Sequence, residues 1–126
     1  MGTILVVDDE EQVRGFLRKA LERFGHAVLE ANNGKEGLRI YQNQPADVVI
    51  ADILMPEADG LSCILQLREF DPGVRVIAIS GGGQFHAMDV LEVARHFGAR
   101  HAFWKPFDLD QVLTAVNEEL EAGPAA

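Results

Sequence analysis

The sequence predicts a doubly wound α/β fold, in which a five-stranded parallel sheet is flanked by five helices. The first observation is that short apolar runs alternate five times with longer segments whose apolar residues recur at helical spacing. The second is that parallel strands need such crossovers, which are right-handed and cover both faces of the sheet. The third is the length of 126 residues, which suits one domain.

Each predicted strand is a short apolar run that ends at polar residues. The first run is rich in β-branched residues and stops abruptly at Asp8, which is typical of a buried strand. The fifth run is the weakest of the set. The predicted strands are residues 4–7, 27–31, 47–51, 74–79 and 101–104.

The helices are predicted from apolar periodicity and from residues that begin or end helices. Gly25 and Gly98 are suitable C-terminal stops for the first and fourth helices. Asn33, with Glu36 three residues later, resembles a capping box for the second, and Asp108 caps the fifth. The predicted helices are residues 13–24, 33–41, 61–67, 90–97 and 108–120.

The composition is that of one globular domain, with 48% apolar and 25% charged residues and a single cysteine, Cys63. Twenty acidic residues against eleven basic ones give a formal charge of −9, which disfavours direct nucleic-acid or membrane binding. No apolar run could span a bilayer and no signal peptide is evident, so we expect a cytoplasmic protein. We expect the domain to occupy residues 1–121, with residues 122–126 as a C-terminal tail and no output domain.

Four predicted strands end in polar side chains that can take part in a reaction. They are Asp8 with Asp9, then Asp52, Ser80 and Lys105. The carboxyl ends of parallel strands meet at one edge of the sheet, where open α/β sheets bind ligands. Two carboxylates at ~4 Å repel by about 4 kcal/mol at an effective dielectric constant of 20, so a proton or a cation is needed between them. Mg²⁺ suits such oxygen ligands, and with an ammonium and a hydroxyl the set predicts phosphoryl transfer to a carboxylate.

Each of these residues also has an ordinary structural interpretation. Asp9, with Gln12 three residues later, could be the N-cap of the first helix. Asp52 could be a loop residue at a strand end, Ser80 a turn or cap residue, and Lys105 a solvated strand end. The remaining candidates show neither metal-ligand spacing nor an activating neighbour, and we expect structural or surface positions for His26, His86, His96, His101 and Cys63.

Four motifs together resemble the receiver domain of bacterial two-component response regulators, one at each strand end and in the same order. They are Val6-Val7-Asp8-Asp9-Glu10, the nine residues 52–60 (D-I-L-M-P-E-A-D-G), Ser80-Gly81 and Lys105-Pro106-Phe107. The resemblance covers essentially the whole chain. It implies a flavodoxin-like (CheY-like) sheet with the strand order 2-1-3-4-5.

The resemblance also implies a role for each strand-end residue. Asp52 would accept a phosphoryl group from a phosphohistidine on a sensor histidine kinase or a histidine phosphotransfer protein. Mg²⁺ would be held by Asp8, Asp9 and Asp52, and by the backbone carbonyl of Leu54. Ser80 and Lys105 would contact the phosphoryl oxygens. Such a domain is not an enzyme in the usual sense, and we expect it to signal to a downstream protein target by contact.

The sequence departs from the family pattern at three places. Receivers commonly have an aromatic residue three positions before the lysine, where this chain has Ala102. Phe103 and Trp104 are close by, but strand alternation points them elsewhere, and we expect both to fill the core. The segment from residue 80 to residue 105 is longer than usual around three glycines, which predicts a mobile loop and a shifted fourth helix. Leu54 and Gly82 cannot hold an attacking water, which predicts slow hydrolysis of the acyl phosphate.

Three alternative functions share part of this pattern. A phosphatase of the haloacid dehalogenase type needs Asp-x-Asp after the first strand, but Asp8 and Asp9 are adjacent here. An FMN-binding flavodoxin needs a Ser/Thr-rich phosphate loop at the place where Asp8-Asp9-Glu10 would repel the phosphate. A pseudo-receiver scaffold that binds its partner independently of phosphorylation stays open, since Ala102 and the altered fourth-helix segment favour it.

Overall fold

The protein was analysed as a computed structural model, which describes residues 2–53, 59–80, 92, 95–96, 98–105 and 107–122. The strands are β1 (Thr3–Val7), β2 (Ala27–Ala31), β3 (Val48–Asp52), β4 (Val76–Ser80) and β5 (Ala99–Trp104). The helices whose bounds lie in these residues are α1 (Glu11–Arg23), α2 (Gly34–Asn43), α3 (Asp59–Phe70) and α4 (Leu109–Glu121). None of these helices is long and apolar enough to cross a membrane.

The five strands form one parallel sheet in the order β2-β1-β3-β4-β5. This confirms the predicted fold and the strand order that the family resemblance implied. Every residue of β3 and β4 is buried, because these strands lie inside the sheet and helices cover both of its faces. β2 and β5 form the two edges of the sheet.

The core consists of two apolar clusters, one on each face of the sheet. Successive residues of β1 alternate between them, with Leu5 in one cluster and Ile4 in the other. The first cluster includes Ile64 and Leu67 of α3 together with Tyr41 of α2. The second is formed with apolar residues of α1 and α4, which are Leu17, Leu21, Val112, Ala115 and Val116. Two helices therefore cover each face of the sheet in the described part of the chain.

The predicted helix boundaries are confirmed at several ends. Gly25 and Gly98 have φ values of 88° and 115°, a backbone conformation that favours glycine, and Gly25 follows the end of α1. The side chain of Asn33 accepts a hydrogen bond from the Glu36 N–H at 2.8 Å. The Glu36 carboxylate reaches back to the N–H of Asn32 at 3.2 Å, so the capping box is displaced by one residue from its usual form.

Several predictions concern residues outside the described part of the chain. These are the glycine-rich loop, most of the predicted fourth helix, Pro106, Leu54 and the end of the C-terminal tail. Of the predicted fourth helix, residues 92, 95 and 96 have helical backbone.

Candidate functional site

The four predicted strand ends lie together at the carboxyl-terminal end of the sheet. Asp52 and Ser80 are the last residues of β3 and β4. Asp8 and Lys105 directly follow β1 and β5. Backbone hydrogen bonds continue the sheet into this region, including one at 2.7 Å from the Lys105 N–H to the Ser80 carbonyl. The sheet therefore fixes the backbone from which the reactive side chains project.

Lys105 joins the carboxylates of the site. Its Nζ lies 2.8 Å from Oδ2 of Asp8 and 3.0 Å from Oδ2 of Asp52. A third carboxylate, Oε1 of Glu10, lies 2.7 Å away. The Lys105 side chain is only 12% exposed, and those of Asp8 and Asp52 are 0% and 3% exposed. Burial opposes the charge on Lys105, but hydrogen bonds to the three carboxylates outweigh this effect and raise its pKa above the ordinary value.

Asp8, Asp9, Glu10 and Asp52 form an acidic cluster. Each offers one carboxylate oxygen, and these oxygens all lie within 4.8 Å of one another. Burial raises the pKa of Asp8 from 3.8 to about 6, with a smaller contribution from the charge of Asp52. Hydrogen bonding to Lys105 and to the Glu10 N–H opposes this shift. The cluster therefore holds more negative charge than one ammonium balances.

One atom of this cluster supports cation binding directly. Oδ2 of Asp8 is buried, and the Lys105 ammonium 2.8 Å away from it is shared with the carboxylates of Glu10 and Asp52. A buried carboxylate oxygen in this state is costly unless a cation or a donor satisfies it. Oxygen-only donor sets of this kind suit a hard divalent cation such as Mg²⁺.

Two residues of the site were missed by the sequence analysis. Glu10 belongs to the acidic cluster and contacts Lys105, and its position directly after Asp8-Asp9 was a usable signal. Arg14 of α1 donates a 2.7 Å hydrogen bond from Nη1 to the Asp8 carbonyl and a 3.2 Å bond from Nε to Glu30. No sequence signal pointed to Arg14, because its role depends on how α1 packs beside the end of β1.

Gly60 allows the start of α3 to approach the end of β3. A Cβ atom at this position would lie 2.2 Å from the Asp52 carbonyl oxygen and 2.4 Å from the Ile53 Cα. Both neighbours are backbone atoms, which no side-chain rotation can move aside. The glycine of the D-G pair in residues 52–60 is therefore needed for the backbone position of Asp52.

Two structural interpretations from the sequence are wrong. The N-cap of α1 is Glu10, whose side chain makes no capping hydrogen bond, so Asp9 is not the N-cap. Trp104 was expected to point away from the face of Ala102, but residues two apart on a strand share a face. Trp104 packs against the same core cluster as Ala102. Phe103 does pack on the opposite face, and both aromatic residues are partly buried against the core as predicted. Ser80 is a buried residue of β4 and not part of a turn.

Comparisons with known proteins agree with this geometry. The family model described as "Response regulator receiver domain" matches residues 4–117. The chain belongs to the response regulator receiver domain family. Receiver domains are components of two-component systems and act as phosphoacceptors.

This receiver domain has relatives of nearly its own length. It is 31% identical to sporulation initiation phosphotransferase F of Bacillus subtilis, over 93% of this chain and 92% of the relative. It is 35% identical to chemotaxis protein CheY of Halobacterium salinarum, over 94% of this chain and 97% of the relative. A solved receiver domain from Clostridium thermocellum superimposes with a TM-score of 0.87 at 31% identity, covering 97% of this chain and 96% of that one.

Proposed function

We propose that this receiver domain accepts a phosphoryl group on Asp52 from a phosphohistidine, in a reaction that depends on Mg²⁺. The observation that carries the proposal is the contact of the Lys105 ammonium with the buried carboxylates of Asp8 and Asp52, inside an acidic cluster. This arrangement provides a carboxylate nucleophile, a fixed positive charge and oxygen ligands for a metal ion.

In the proposed reaction a carboxylate oxygen of Asp52 attacks phosphorus, and the bond from phosphorus to the donor imidazole nitrogen breaks. The other ring nitrogen of the donor carries a proton, so neutral imidazole leaves as the acyl phosphate forms on Asp52. Lys105 loses its contact with the Asp52 oxygen and pairs with a phosphoryl oxygen instead. The Ser80 hydroxyl donates a hydrogen bond to another phosphoryl oxygen.

Asp8 and Asp9 would hold Mg²⁺ together with Asp52 and, as the family resemblance implies, the Leu54 carbonyl. The buried Oδ2 of Asp8 fits this assignment, since the one ammonium beside it also serves Glu10 and Asp52. When bound, Mg²⁺ neutralises negative charge on the phosphoryl oxygens. The Glu10 side chain is 59% exposed, and its contact with Lys105 balances part of the lysine charge.

The test uses a small-molecule phosphodonor. Incubation with Mg²⁺ and acetyl phosphate or phosphoramidate is expected to add one phosphoryl group, measured by intact-protein mass spectrometry. Asp52→Asn abolishes the addition, whereas Asp110→Asn, which changes an exposed aspartate of α4, leaves it intact. Full labelling of Asp52→Asn would overturn the assignment of the acceptor. Undiminished labelling in excess EDTA would overturn the role of the metal.

We further propose that a sensor histidine kinase or a histidine phosphotransfer protein supplies the phosphoryl group, and that the signal passes to a downstream protein by contact. The pseudo-receiver alternative is not supported by the comparisons. The domain boundary at residue 121 and the cytoplasmic location stay predictions. Comparing the affinity of a partner with and without beryllofluoride tests the signalling mode, because an affinity that does not change contradicts it.

A further inference from the structure

Arg14 of α1 contacts the backbone on both sides of Asp9. Nη1 of its side chain donates a 2.7 Å hydrogen bond to the Asp8 carbonyl. Its own backbone N–H donates at 3.1 Å to the carbonyl of Glu10. Asp9 is the residue between these two carbonyls, so Arg14 spans the segment from which the carboxylates of Asp8 and Asp9 project.

The Asp8 carbonyl lies where the sheet stops supplying partners. The Asp8 N–H still bonds to the Ala31 carbonyl at 3.1 Å, but the register between β1 and β2 ends at the pair of Val7 and Ala31. Asp8 is 0% exposed, and a buried carbonyl without a donor is costly. The guanidinium of Arg14 supplies this donor. It thereby fixes the peptide plane that joins Asp8 to Asp9.

Glu30 of β2 holds the Arg14 side chain in place. Nε of Arg14 lies 3.2 Å from Oε1 of Glu30, while the other oxygen of Glu30 accepts from Arg18 at 2.6 Å. The planar guanidinium can therefore donate in two fixed directions, one toward β2 and one toward the end of β1. Because the Glu30 carboxylate balances the Arg14 charge, we expect Arg14 to act on the neighbouring acidic cluster through geometry rather than through charge.

We propose that Arg14 is a positioning residue that orients Asp8 and Asp9 for Mg²⁺. The inference rests on the proposed function, in which these two carboxylates hold the ion. A ligand group that is already oriented need not be ordered when the ion binds, which favours binding. Groups that orient metal ligands in this way typically contribute about 10- to 100-fold to metal affinity. Loss of the Arg14 contact should therefore weaken Mg²⁺ binding, although a positive charge near the ion is removed.

The test titrates Mg²⁺ into the ¹⁵N-labelled full chain, without a phosphodonor, and follows the backbone amide resonances of residues 8–10 by NMR. Arg14→Met is expected to raise the dissociation constant for Mg²⁺ by about 10-fold. Arg18→Met is the matched control, because it removes the same charge from the same helix, and Arg18 donates to Glu22 and Glu30 instead. It should leave the dissociation constant unchanged. Arg14→Lys keeps the charge but not the planar pair of donors, so its dissociation constant should fall between those of the parent protein and Arg14→Met.

Hydrogen exchange in metal-free buffer separates positioning from a general loss of stability. The Glu10 N–H donates to Oδ1 of Asp8 at 2.8 Å, so its exchange rate reports on this segment before any ion binds. Arg14→Met should speed exchange at Glu10 more than at the amides of β3. Amide spectra verify that each variant is folded, and Arg14→Lys carries the same test if Arg14→Met does not fold.

Three outcomes would overturn the inference while the parent protein still binds Mg²⁺. They are unchanged or tighter Mg²⁺ binding by Arg14→Met, equal weakening by Arg18→Met, and equal acceleration of exchange at Glu10 and in β3. Failure of the parent protein to bind Mg²⁺ at residues 8–10 is a different result. It would overturn the proposed role of the metal and this inference with it.

Discussion

Replacement of Gly60 by alanine tests how the backbone at the end of β3 positions Asp52. The added Cβ would lie 2.2 Å from the Asp52 carbonyl oxygen, whereas ordinary contacts begin near 3.4 Å. The start of α3 and the end of β3 must therefore separate by about 1.2 Å. Overpacking of this kind destabilises a protein by about 1–3 kcal/mol. A displacement of about 1 Å at a reacting group can lower a rate by about 100-fold.

We therefore expect Gly60→Ala to lower the free energy of unfolding, measured by urea denaturation, and to slow labelling by phosphoramidate far more than the loss of stability explains. Gly15→Ala is the control, since no atom lies within 4 Å of its added Cβ and alanine favours a helix by up to about 1 kcal/mol. The reasoning is refuted if Gly60→Ala keeps both the stability and the labelling rate of the parent protein.

Three further predictions concern pH, phosphoryl lifetime and helix capping. In metal-free buffer the pKa of Asp8 is about 6 in the folded state and 3.8 when unperturbed, so the folded state binds this proton more tightly. The free energy of unfolding should then fall by up to about 3 kcal/mol as the pH rises from about 4 to 7. Asp8→Asn should remove this decline in urea titrations, and a decline that persists would contradict the role of burial. The acyl phosphate on Asp52 should be long-lived, and Leu54→Asn should shorten its lifetime because an asparagine side chain can hold a water. Mass spectrometry measures this lifetime, and loss of the acyl phosphate from the parent protein within seconds would be evidence against the prediction. Asn33→Ala removes the side-chain oxygen that accepts from the Glu36 N–H and should lower the free energy of unfolding by about 1 kcal/mol, an effect that an unchanged urea midpoint would exclude.

Much of the fold was predictable because its signals are local. A strand buried on both faces has to be apolar at every position, and the fully buried β3 and β4 show this directly. The end of α1 was predictable because Gly25 adopts a positive φ that few other residues tolerate. The boundaries of β5 were less predictable, since Ala99 and Arg100 have no apolar pattern and pair with β4 through an irregular register.

The strand ends of the site were also predictable, since parallel strands carry Asp8, Asp52 and Lys105 to one edge whatever the details of packing. The supporting residues were not. Arg14 reaches the Asp8 carbonyl only because α1 lies beside β1, and Gly60 matters only because α3 begins against the end of β3. Such contacts join residues that no periodic pattern relates.

Residue order alone was enough to predict the kind of chemistry, because carboxylates, a hydroxyl and a lysine follow apolar strands in a fixed sequence. Packing decided how those groups interact. It buried Asp8 deeply enough to raise its pKa and brought Glu10 to Lys105. The reason is physical: hydrophobic patterning is read along the chain, whereas desolvation and charge coupling depend on distances that exist only after folding.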